Sequence, residues 1–267
     1  MAITICKMFL FLLSMGGYVL LIRNRFHVRL EFAPALFCAF ISTALFCAGI
    51  LNLLLPAAAL LFLGGLAALA VYVVEFFKNR PTLPRRELLL YAGFLLAVLY
   101  FAILMYGIKV NEYDNFSHYA VVLKDMLRSD GLPSFKSINI TFQSYPLGSS
   151  LFLYYVCRIV GMAESNALWA NLLLSLSGIF ALTAFVRKEN GGFIPVTAFA
   201  LFALIWRADF NSLLVDTILP ITAAAAFAML YYYRADRKKA ALLTALMLSF
   251  VVNIKNSGVF FAAACLA

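Results

Sequence analysis

Apolar residues run through this chain in long blocks, near 3–22, 32–51, 53–77, 88–108, 147–160, 166–186, 193–209, 213–233 and 240–254, with a last block from 257. Most are long enough, at 1.5 Å per residue, to cross ~30 Å of hydrocarbon. The pattern predicts an all-α, polytopic transmembrane helical bundle. A β-barrel would instead show alternating segments of ~10 residues, which this sequence lacks. The last block ends at Ala267, short of a crossing. The expectation is therefore a single transmembrane domain over 1–267, incomplete at its C-terminus.

One long polar segment interrupts the blocks, residues 109–146. It opens on an acidic-aromatic cluster, Glu112-Tyr113-Asp114-Asn115-Phe116-Ser117-His118, directly after an apolar block. Asp114 or Asn115 is placed to cap a following helix. In it Phe116, Tyr119, Val122 (or Leu123) and Met126 form an apolar stripe, while Lys124 and Arg128 face water four residues apart. The expectation is an amphipathic, juxtamembrane helix lying flat on the membrane surface.

Composition supports the membrane reading. The chain is 65% hydrophobic and 12% charged, with a mean hydropathy of +0.96; soluble domains carry about 25% charged residues. The net charge of +9 does not imply a nucleic-acid partner. Arg23, Arg25, Arg29, Lys78, Arg80, Arg85, Arg86, Arg234, Arg237, Lys238 and Lys239 all sit in short loops beside apolar blocks. There basic residues set orientation and meet membrane lipids with anionic headgroups. Loops 23–31, 78–87 and 234–239 are expected in the cytoplasm and 109–146 outside, in a multi-pass protein of the plasma membrane. The N-terminal block reads as an uncleaved span, because an early basic segment is missing and the apolar run is long.

Parity then requires that one block between 146 and 234 not cross. The weakest is 147–160, which is short, follows Tyr145-Pro146 and contains Gly148, Ser149, Ser150 and Arg158. It is expected as a re-entrant or interfacial helix. This layout brings 112–118, 207–216 and 253–256 to one membrane face.

The five cysteines form no C-x-x-C, and the two histidines, His27 and His118, are far apart. Neither a disulfide framework nor a metal site is predicted. Three ionisable groups stand out. Asp114 is either a helix cap or a reactive carboxylate, and His118 four residues later can approach it. Asp216 lies at the mouth of an apolar block, where a carboxylate is costly without a partner or water. It forms either a structural ion pair with Arg207 or Lys255, or part of a site. Lys255, in Asn253-Ile254-Lys255-Asn256-Ser257-Gly258, is either a snorkelling lysine or a cation for a phosphate.

An outer-loop Asp in the setting Tyr113-Asp114-Asn115-Phe116-Ser117-His118 resembles the loop acid of the GT-C membrane glycosyltransferases. These include the protein O-mannosyltransferases and the aminoarabinose and related lipid-sugar transferases. The order of later features is similar: Tyr145-Pro146-Leu147-Gly148, a short apolar run to Glu164, a basic turn at Arg187-Lys188, Asp216, then Lys255 before Asn256-Ser257-Gly258. The resemblance covers roughly residues 88–260. The chain departs from many relatives in having four blocks before the loop, and in Asn115 where a second acid often stands.

The resemblance implies a GT-C type bundle that transfers a sugar, with inversion, from a polyprenyl-phosphate-sugar donor to an envelope or lipid acceptor on the outer face. Asp114 and Asp216 would be the catalytic carboxylates, with Tyr113, His118, Arg207 and Lys255 binding substrate. No cofactor is implied, although some relatives use a divalent metal ion. Readings from other classes are a transporter or lipid-linked sugar flippase, and a non-catalytic membrane subunit.

Overall fold

The computed structural model describes residues 2–79, 84–134, 140–185 and 212–266. Among them every regular element is helical: α1 Ala2–Arg25, α2 Ala33–Ile50, α3 Leu54–Asn79, α4 Arg85–Met105, α5 Ala120–Ser129, α6 Gly148–Val160, α7 Glu164–Leu182, α8 Ile218–Tyr232, α9 Arg237–Ile254 and α10 Gly258–Leu266. Five helices, α1 to α4 and α7, are long and apolar enough to cross a bilayer. The expected span at 193–209, with Arg207 and Asp209, lies outside the described residues.

Burial divides these helices into two kinds. α7 is mostly enclosed, whereas α3 is only 11% buried over its apolar window. Leu60, Val74, Phe77 and Ile103 stand exposed along α3 and α4. Large apolar side chains pointing out of a folded chain along whole helices are stable in hydrocarbon, not in water. Neighbouring helices are held by packing and by polar contacts at close range. Ser14 Oγ donates to the Phe62 carbonyl and Tyr18 Oη to that of Leu61, each at 2.8 Å. A Cβ on Gly17 would lie 1.9 Å from the Gly65 carbonyl oxygen, so α1 and α3 approach through glycine as close-packed membrane helices do.

Basic residues collect at one end of the bundle. Arg23 pairs with Glu87 at 2.6 Å and Arg25 with Glu75 at 3.0 Å. The Arg29 amide donates to Tyr233 Oη at 2.8 Å, its guanidinium reaches Tyr232 and Glu31, and Lys239 donates to the His27 carbonyl. The loops at 23–31 and 234–239 and the facing ends of α3 and α4 therefore share one face. On it Glu31 is buried between Arg29 and Arg86.

The expected helix after the polar cluster forms, with a different start and a different cover. Residues Asn115–Tyr119 make a π turn, closed by the Ala120 amide on the Asn115 carbonyl. Asp114 makes no side-chain cap and the Asn115 side chain turns to residues 212 and 213 instead, so the capping expectation is corrected. The extra residue of the π turn rotates Asn115 and His118 inward and leaves Phe116 63% exposed, outside the stripe that the spacing predicts. Tyr119, Val122, Leu123, Met126 and Leu127 are buried. Protein covers that stripe, α6 foremost, in place of the lipid expected.

α5 lies across the face opposite the basic loops. Its start is tied to residues 212–213, which precede α8, and the far end of α8 carries the Arg29-bound tyrosines. Its end is followed by Leu132, which fills the space beside Gly49 at the top of α2. α6 runs alongside: Leu147 lines a cavity with His118 and Val122, while Tyr154 Oη donates to Asp130 at 2.7 Å and Arg158 Nη2 to the Leu127 carbonyl at 3.0 Å. Residues at both ends of α6 thus meet the α5 region. Its 13 residues span only about 20 Å. Gly148 through Cys157 are buried, packed against α1, α2 and α7, so α6 is covered by protein along most of its length.

Candidate functional site

Three chain segments meet on the face opposite the basic loops. The first is the π turn. Asn115 is fully buried, and its amide works in both directions: Oδ1 accepts from the Leu213 amide at 2.9 Å, and Nδ2 donates to Ser212 Oγ at 3.2 Å. Ser212 Oγ in turn accepts from the Leu214 amide at 3.1 Å, and the Ser212 carbonyl accepts from Asn171 Nδ2 at 3.2 Å. Side chains thereby satisfy amides that would otherwise enter a helix. This is why the apolar run expected as a span from 213 begins as non-helical chain, with α8 starting only at Ile218.

That non-helical stretch carries Asp216 to the surface, where its side chain is 63% exposed. The third segment is the turn after α9. Lys255 is extended, φ −156° and ψ 149°, and its carbonyl accepts from the Gly258 amide at 2.8 Å. Glycine is required there, since a Cβ on Gly258 would sit 2.2 Å from the Val251 carbonyl oxygen. Lys255 Nζ donates to Asp216 Oδ1 at 2.6 Å, closing an ion pair between the second and third segments.

Asp114 stands on the same face as an exposed carboxylate, with no hydrogen bond or ion pair to its side chain among the described residues. Its charge and that of Asp216 both reach the buried phenol of Tyr119. Burial first, then Asp216, Tyr145 and Asp114, push Tyr119 well above its ordinary value, so it stays a hydrogen-bond donor. His118 is 2% exposed, in edge contact with the rings of Tyr119, Phe142 and Tyr145 at 5.0, 5.9 and 5.0 Å. Burial lowers its tendency to take a proton, and Asp114 opposes this.

The structure thus brings Asp216 and Lys255 into contact, sets Tyr119 within electrostatic reach of both Asp216 and Asp114, and sets His118 within reach of Asp114. Tyr113 is on the surface next to Asp114, 82% exposed, and Arg207 lies outside the described residues. Sequence reasoning missed Asn115 as the clamp, Tyr119 as the phenol that feels both carboxylates, and the Phe142–Tyr145 pair. The signal for Asn115 was present: an amide amid acids and aromatics has both donor and acceptor to place. Among the described residues no three His, Cys, Asp or Glu come together as metal ligands.

Among the described residues the arrangement offers a carboxylate without a side-chain partner to accept a proton, an ammonium with two donors beyond its one partner, and a phenol donor, at the edge of an apolar bundle. No protein family matches the chain, and no curated protein or solved structure matches it.

Proposed function

We propose that this protein is a membrane glycosyltransferase of GT-C type, taking a sugar from a polyprenyl-phosphate donor to a hydroxyl-bearing acceptor on the outer face of the plasma membrane. The observation that carries the reading is the Lys255–Asp216 pair on the same face as the Asp114 carboxylate, which has no side-chain partner among the described residues, at the end of the bundle opposite the basic loops. Basic loops mark the cytoplasmic side, which puts this cluster outside, where lipid-linked rather than nucleotide-linked sugars are the available donors.

The chemistry is one displacement with inversion. The acceptor oxygen attacks the anomeric carbon and gives its proton to the Asp114 carboxylate. The bond from that carbon to the phosphate oxygen breaks, and polyprenyl phosphate leaves with the electron pair. The charge it gains develops beside the Lys255 ammonium, which stabilises it. Asp216 holds Lys255 in place, and Tyr119 donates a hydrogen bond to substrate oxygen. No residue needs to form a covalent intermediate.

One observation favours a transporter instead: the chain breaks at Lys255 between α9 and α10, as helices in transporters break beside their ligands. The test separates the two. Purified protein is incubated with polyprenyl-phosphate glucose, mannose or galactose and envelope lipid, and free polyprenyl phosphate is measured by mass spectrometry. Its release with a glycosylated product supports transfer. Movement of intact donor across vesicles without release supports transport.

A further inference from the structure

A cavity of about 120 Å³ opens beside the carboxylates, bounded by His118, Phe142, Gln143, Tyr145 and Leu147 among others. A single water needs roughly 10–15 Å³ in the same measure, so there is room for a ring. His118 has no hydrogen-bond partner for its buried Nδ1 among the described residues. A buried polar atom in this state calls for something to pair with it.

The walls say what kind of ring. Phe142 and Tyr145 stack on each other at 5.0 Å and 17°, presenting flat aromatic surface, and His118 meets both edge-on. At the mouth Phe142 is 40% exposed and Gln143 is exposed, so entry is from water. The floor, with Val122 and Leu147, is apolar. A ring with an apolar C–H face and a rim of hydroxyls matches both surfaces. A polyprenyl tail does not, since it belongs on the lipid-facing helices and would leave Gln143 unused. Among the described residues, none of the nine lining side chains carries a fixed charge. An ammonium or carboxylate on the ring would therefore lose its water without gaining a counter-ion from these nine side chains.

We infer that the cavity between His118 and the stacked Phe142–Tyr145 pair is a subsite for a neutral, hydroxylated sugar ring, an inference that rests on the transfer reaction proposed above. Such a ring has two sources, the sugar of the donor and a sugar on the acceptor, and the same chemistry recognises either.

The test is equilibrium binding to the purified full-length protein in detergent. The probes are polyprenyl phosphate, the same lipid carrying glucose, mannose or galactose, the lipid carrying an amino sugar, and the three methyl glycosides alone. The expected result is that at least one neutral sugar lipid binds about fivefold or more tighter than polyprenyl phosphate, the value of one net hydrogen bond. His118→Ala and Phe142→Leu should each erase that difference while leaving polyprenyl phosphate within about twofold. Phe142 is partly exposed, so its variant keeps the test usable if His118→Ala fails to fold. A methyl glycoside that binds through His118 while all lipids bind equally also supports the subsite and gives it to the acceptor. A tighter amino sugar overturns the neutral assignment. Equal binding of all lipids with no glycoside bound overturns the subsite and leaves the transfer reaction standing. Failure of every lipid to bind overturns the transfer reaction and the subsite with it.

Discussion

Lys255 reaches across 39 positions of sequence to place Nζ 2.6 Å from Asp216 Oδ1. Both groups see solvent, 31% and 63% exposed, and an ion pair in that setting contributes about 1 kcal/mol or less. Stability is a weak reason for two charges at the edge of an apolar bundle. Asp216→Asn should therefore lower the thermal midpoint by no more than about 4 °C, while reducing sugar transfer about 10- to 100-fold by releasing Lys255 from its position. Melting and turnover on the same preparation check this. A large fall in midpoint with unchanged turnover would make the pair structural.

Asn115 is the opposite case. It is buried, and a backbone amide and a side-chain hydroxyl pair with it. Asn115→Ala leaves the Leu213 amide without its acceptor and should cost about 1–3 kcal/mol. The neighbouring exposed Asp114→Ala should stay within about 0.5 kcal/mol. Denaturation of the two variants side by side measures the contrast, and equal losses would contradict the clamp.

His118 predicts a pH dependence. Burial holds its folded value below the ordinary one, with Asp114 opposing. The unfolded chain takes up this proton near pH 6.5, whereas the folded chain takes it only at lower pH. The stability that the neutral imidazole contributes is complete above about pH 6.5 and declines as pH falls below it. Thermal midpoints at pH 7.5 and 5.5 should fall further for the native protein than for His118→Gln. An equal fall in both would show that His118 does not titrate in this way.

The helical architecture was legible because apolar blocks and basic loops are local signals. The lengths of α1 to α4 follow from them within a few residues, and so does the gathering of 23–31 and 234–239 on one face. The ends of α5 and α8 were not legible, because they depend on contacts about a hundred residues apart. Asn115 takes the amide of Leu213, and that bond, invisible to periodicity, decides that 212–217 is not helix. The π turn escaped notice for a related reason. Helical spacing predicts Phe116 inside, but placing Asn115 and His118 inside required one more residue in the turn. Asp114, Asp216 and Lys255 were legible as charges out of place. Tyr119 and Tyr145 were not, since a tyrosine in an apolar stripe or beside a proline looks like any other.

Sidedness can be read chemically. In a background with the five cysteines replaced, Glu112→Cys and Asn256→Cys should react with an impermeant thiol reagent on intact cells. Lys238→Cys should react only after permeabilisation. All three are exposed in the structure. Reaction of the first two from opposite sides would contradict the shared face.

The central claim is that Asp114 accepts the acceptor's proton during sugar transfer, and its most direct test is the turnover of Asp114→Asn. The carboxamide keeps the shape and removes the proton acceptor, so kcat should fall roughly 10²- to 10⁴-fold, with donor binding and thermal midpoint unchanged. Turnover by Asp114→Asn at the native rate would contradict the account.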